Sequence, residues 1–216
     1  MDPPLLGHRA QTWVVLRLLA QRTDARSRPK IGERMRHFLL VPLLVVALGA
    51  AYNDYVSAKR KFDDIESGRL RAGQRVTLNQ RELTAYVEKE APAGVRSPRI
   101  ELTSPEIATG AAMIDFLKVR RAQGYQPGWL MSKLLDGERP VRVTARIHSG
   151  GGTATVEVQK VEISGITVDG KTLDFLIRNF LLAQYPDAAV NRPFEMGHHI
   201  DRLDVQSGAV NVVIGK

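Results

Sequence analysis

An uncharged apolar run, residues 38–51 (FLLVPLLVVALGAA), follows directly on the basic cluster Arg34-Met35-Arg36-His37. A positive segment, a short apolar stretch and a patch of small residues make the three-part pattern of an export signal. The run holds 14 residues. As a helix at ~1.5 Å per residue it reaches about 21 Å, against ~30 Å of bilayer hydrocarbon. Pro42 would bend it further. A cleaved signal would be cut near Ala47-Leu48-Gly49 or Gly49-Ala50-Ala51, whereas a retained anchor would use Tyr52 and Tyr55 at the membrane interface. Both outcomes place the remaining chain outside the cytoplasm, held at the cytoplasmic membrane through residues 38–52 or released into the periplasm. No polar stripe interrupts the run, which argues against an ordinary core helix.

A start at Met35 would leave a compact signal, MRHFLLVPLLVVALGAA. Residues 1–34 are then either an upstream extension or a short basic cytoplasmic arm. They are rich in Arg and Pro with little apolar periodicity, and no fold is expected of them.

The formal charge of +8 invites a nucleic-acid reading. Residues 1–51 carry eight basic and three acidic side chains, a net of +5, while 52–216 carry 23 and 20, a net of +3. The folded part is ordinary in charge and has no recognition-helix, zinc-finger or RNP-like pattern, so no nucleic-acid partner is expected. Cysteine is absent, which excludes disulfides, thiolate catalysis and cysteine metal sites. A domain of this kind depends on its apolar core, and 165 residues are enough to build one.

Residues 52–67 read as a polar juxtamembrane helix with Tyr55, Phe62 and Ile65 as sparse apolar contacts, and 53–69 as a linker ahead of a single domain at 70–216. Residues 75–78 form a short strand. Asn79-Gln80-Arg81-Glu82 is a capping box that opens a helix with Leu83, Tyr86 and Val87 on its apolar stripe. Residues 99–103 and 106–119 read as a hairpin, the second strand being long. The segment 140–148 alternates Val141, Val143, Ala145 and Ile147 against Arg142, Thr144, Arg146 and His148, the mark of a half-buried antiparallel strand. Its partner, 153–164, changes parity before Val161, which predicts a bulge at Gln159-Lys160. Residues 172–184 carry the strongest helical pattern, and strands at 200–205 and 209–214 close the chain. The fold class is α+β: a long curved, mostly antiparallel sheet packed against two principal helices, preceded by the N-terminal signal or anchor helix.

Four constellations bear on chemistry. His198-His199 with Glu195, Asp201 and Asp204 suits a metal in residue type, but adjacent strand residues point to opposite faces, so no metal site is expected. His148-Ser149 ahead of three glycines has neither a nucleophile elbow nor a phosphate-loop lysine, and reads as a hairpin turn. Asp115 inside an apolar run reads as an outward or paired carboxylate. The fourth is apolar. Leu173, Phe175, Leu176, Ile177 and Phe180, with Met113, Phe116 and Trp129, exceed what one-sided elements need, and a curved sheet over such a helix can leave a groove for acyl chains.

The entry Val76-Thr77-Leu78-Asn79 into Glu82-Leu83-Thr84-Ala85-Tyr86, the long hairpins, the apolar helix at 173–182 and the terminal strand pair together resemble the tubular lipid-binding (TULIP) proteins over most of 70–216. The resemblance implies a long helix against a highly curved sheet with lipid between them, and Leu173, Leu176, Ile177 and Phe180 as lining positions. The domain is small for a complete lipid tube. The expected function is non-catalytic binding of a lipid or other apolar envelope molecule, with no cofactor. The alternative is an envelope assembly protein with a solid core, whose partners are proteins.

Overall fold

The computed structural model describes residues 41–122, 124, 136–182 and 190–216, with 41–50 as backbone. It opens with a continuous helix, α1 (Val41–Glu66). Ala58, Phe62 and Ile65 recur at helical spacing and are buried at 0–2% exposure. The residues read as a linker therefore supply part of the core, and the boundary at residue 70 falls inside one packed unit. Gly68, at φ +63°, ends the helix by donating its N–H to the Ile65 carbonyl.

Strand β1 (Arg75–Asn79) runs into α2 (Gln80–Glu90) through the expected capping box. The Asn79 side chain accepts from the Glu82 N–H, and the Glu82 carboxylate accepts from the Asn79 N–H, both at 2.9 Å. Four long strands follow the same logic of alternation: β2 (Val95–Ser104), β3 (Ile107–Asp115), β4 (Glu138–Gly150) and β5 (Thr153–Ile163). The bulge falls where parity predicts it. Val158 pairs with Ala145 and Lys160 with Thr144, leaving Gln159 as the extra residue. This returns Val161 and Ile163 to the face that holds Ala154, Val156 and Val158.

The strand expected to run to residue 119 stops at Asp115. The Asp115 carboxylate accepts the Lys118 N–H at 2.9 Å and so caps a short helix, α3 (Phe116–Ala122). The half-buried acid inside the apolar run is thus an element boundary. After β6 (Ile166–Thr167), helix α4 (Gly170–Leu176) continues into a π-helical turn, Ile177–Leu181. Strands β7 (Pro193–Glu195), β8 (Ile200–Gln206) and β9 (Ala209–Ile214) complete the chain.

These strands form two antiparallel sheets where one long sheet was expected. The larger has the order β2-β3-β4-β5-β6, with β7 also on β5, and the smaller has the order β1-β9-β8. The physical reason lies in β9. Asn211, Val212, Val213 and Ile214 are buried on both faces of the strand, which suits a central position between β1 and β8. The core gathers Phe62, Leu83, Tyr86, Leu102, Ala154, Val205 and Val212 from α1, α2 and both sheets. The Phe62 and Tyr86 rings meet at 4.4 Å.

Candidate functional site

Register and alternation give the larger sheet two unlike faces. The inner face carries Ile100, Leu102, Ala108, Ala112, Val141, Val143, Ala145 and Ile147, since these residues are cross-strand partners in line. The outer face carries Arg99, Glu101, Ala111, Met113, Arg142 and Glu162. One half of the inner face belongs to the core through Leu102, Ala108, Ile147 and Ala154. On the other half, Ala112, Ile114, Val141, Val143 and Ile163 stay half-exposed.

Helix α3 follows directly on β3 and packs against the π-turn that extends α4. Phe116 of α3 is buried and meets Phe180 edge-on at 5.0 Å. Phe175 lies 6.5 Å from Phe180, and the Arg120 guanidinium sits 5.8 Å above the Phe180 ring while donating to the Asn179 carbonyl at 2.9 Å. Asn179 in turn donates to the Phe175 carbonyl at 2.8 Å. The helix is locally wound wide, the Leu182 N–H reaching the Ile177 carbonyl. Such π-turns recur at functional sites. Leu173, Leu176, Ile177 and Phe180 are half-buried, and Phe175 is 42% exposed. Not one apolar side chain of α4 or its π-turn is buried.

Of the residues predicted to line a groove, the structure brings Phe116, Phe175 and Phe180 into one aromatic group. It places Met113 on the opposite, polar face of the sheet. There, Met113 joins Ala111, Pro140 and Arg142 in an open depression of about 430 Å³. Residue parity explains this, because Met113 and Ala112 are consecutive on a strand and point to opposite faces. Trp129 lies outside the described residues.

The polar candidates are engaged structurally. His148 faces Glu106 at 3.3 Å and Glu157 at 3.8 Å on the outer face. Ser149, one residue on, turns the other way, and its hydroxyl accepts the Leu203 N–H at 2.8 Å and donates to the Leu203 carbonyl at 3.0 Å. Histidine and serine therefore cannot act on one substrate atom. His198 and His199 occupy the two central positions of a turn at φ +56° and +57°, closed by Ile200 N–H to the Gly197 carbonyl. The His198 ring lies 3.0 Å from the Glu66 carbonyl at the end of α1. Among the described residues, no three His, Asp or Glu side chains are grouped to hold a metal ion.

Sequence reasoning read Glu82 as a cap and missed its second partner. The Lys61 ammonium approaches its carboxylate at 2.6 and 2.7 Å, and reaches the Thr77 carbonyl at 2.7 Å. Glu82 is 3% exposed, so burial opposes its ionisation. The bonds from Lys61, Ser57 and the Asn79 N–H outweigh burial and hold the carboxyl below the usual carboxylate range. On α1, burial and a 2.8 Å hydrogen bond to Glu90 of α2 push the Tyr55 phenol up to about 12.

Among the described residues no helix is long and apolar enough to cross a membrane. The chain matches no known family model, no curated protein and no solved structure.

Proposed function

We propose that this protein is held at, or exported across, the cytoplasmic membrane by residues 38–51, and that it binds an apolar ligand of the acyl-chain class without covalent chemistry. The binding surface is the α3–α4 aromatic group together with the half-exposed end of the inner sheet face. One observation carries the reading: a helix with seven apolar side chains between Leu173 and Leu182 buries none of them fully, although the same chain packs α1 and α2 tightly. Removing an acyl chain from water there contributes ~0.8 kcal/mol per CH₂, so one chain of ordinary length suffices for useful affinity. No catalytic residue is required.

The scaffold alternative relied partly on free sheet edges, and two stretches of edge, on β2 and β5, are covered by the chain itself. Ile100 and Leu102 of β2 donate to Thr84 and Gln80 of α2 at 3.1 and 2.9 Å. Pro98 sits on the same edge. On β5, the Asn191 side chain accepts the Val158 N–H at 2.8 Å, and its own N–H bonds the Val156 carbonyl. Such covers are how sheets avoid strand addition by a partner.

The test is native mass spectrometry with lipid extraction on the full chain purified from a membrane-containing host. A bound species in the lipid mass range is expected. A clean unliganded mass that persists after incubation with liposomes would defeat the reading and return weight to protein partners.

A further inference from the structure

Where α1 enters the core, an open depression of about 350 Å³ lies between Ala51 and Asp54 of α1, Arg81 and Glu88 of α2, and Arg99 of β2. Its volume falls in the ~300–1,000 Å³ range of small-ligand clefts. Four of these residues are charged, and their charges are not spent inside the protein. The side chains of Arg81, Arg99, Asp54 and Glu88 have no hydrogen-bond or ion-pair partner among the described residues. The fifth charged residue of the lining, Glu101, is different: Arg142 holds it at 2.8 Å, as Arg96 outside the depression holds Glu138 at 3.0 Å. Asp54 is half-buried, a position in which an uncompensated carboxylate carries a desolvation cost.

We propose that this depression binds the headgroup of a membrane phospholipid of the phosphoethanolamine class, an ammonium joined to a phosphodiester. Guanidinium groups match phosphate oxygens in geometry and charge, and the two carboxylates match an ammonium. A zwitterion engages all four side chains while bringing no net charge into the site. A purely anionic headgroup would satisfy the arginines and face Asp54 and Glu88 with like charge. Position selects the source: Ala51, on the rim, is also the last residue of the apolar run 38–51. With that run in a membrane, the depression lies at the level of the headgroups. The choice of membrane lipid over a free phosphoethanolamine thus rests on the tethered reading above, whereas the charge pattern does not.

The experiment titrates the detergent-solubilised full chain with dihexanoyl phosphatidylethanolamine and follows adducts by native mass spectrometry. Dihexanoyl phosphatidylglycerol and inorganic phosphate serve as comparators. Saturable uptake of one phosphatidylethanolamine per chain is expected, at least tenfold tighter than phosphatidylglycerol. It should weaken at least tenfold in both the Arg81→Gln/Arg99→Gln and the Asp54→Asn/Glu88→Gln double variants. Arg192→Gln, an exposed position outside both the depression and the α4 surface, should leave it intact. Equal uptake by wild type and the double variants overturns the site, and so does full competition by inorganic phosphate. Release of the chain from membranes by alkaline carbonate would overturn the membrane source alone, while the titration still decides the headgroup site.

Discussion

Lys61 and Glu82 show how a single residue pair ties two helices together. Glu82 closes the capping box of α2 and, itself buried, receives the half-buried α1 ammonium. Breaking a buried pair from one side strands the other charge, so Lys61→Met should destabilise the domain by about 3 kcal/mol. The sign with pH follows from the lowered carboxyl. Its stabilisation is fully present above the unfolded value of about 4.3 and is lost as pH falls through the folded value. Urea unfolding should therefore show the largest deficit of Lys61→Met near neutral pH, shrinking below about pH 4. A deficit independent of pH would show that the pair is not what holds the helices. The histidine turn makes a second case. His199 is exposed and left-handed, a conformation that Asn tolerates and β-branched residues resist. Thermal melts should rank His199→Asn level with or above wild type. His199→Val should fall below it by about 1–2 kcal/mol.

At the level of elements, α4 is the outlier. Helix α2 shows what a packed helix of this chain looks like, with Leu83, Tyr86 and Val87 all buried. Helix α4 presents a comparable apolar sequence, wound wide over Ile177–Leu181, and leaves Phe175 42% exposed. Phe180 is less suited to a test, because it packs on Phe116 and beneath Arg120. Phe175→Asp removes apolar surface where little packing is lost. It should leave the melting temperature within a few degrees of wild type, the range of surface substitutions, while reducing co-purified lipid several-fold. Unchanged lipid content in a folded Phe175→Asp protein would place the ligand elsewhere.

For the whole molecule, the decisive fact is that α1 belongs to the core. Fragment 70–216 lacks Ala58, Phe62 and Ile65 and the Lys61 partner of Glu82, and each large buried side chain removed costs about 2–5 kcal/mol. Circular dichroism should show 70–216 without a cooperative transition and 53–216 with one. A cooperatively folded 70–216 would return α1 to the status of a linker. Local rules were readable in the chain itself: the Asn79–Glu82 box, the alternation of 140–148, the parity change that announces the Gln159 bulge, and the closing strands. Each depends on residues a few positions apart, whose geometry is set by backbone periodicity. The sequence by itself thus determined the α+β class and most of the strands and helices. Tertiary structure alone decided that β9 joins β1 in a second sheet and that Lys61 meets Glu82. It alone decided that Met113 takes the outer face of the sheet while Phe116 joins Phe180, and that α4 keeps its apolar side chains half in water. Those outcomes depend on which surfaces compete for burial across long stretches of chain, and no local spacing records the result of that competition.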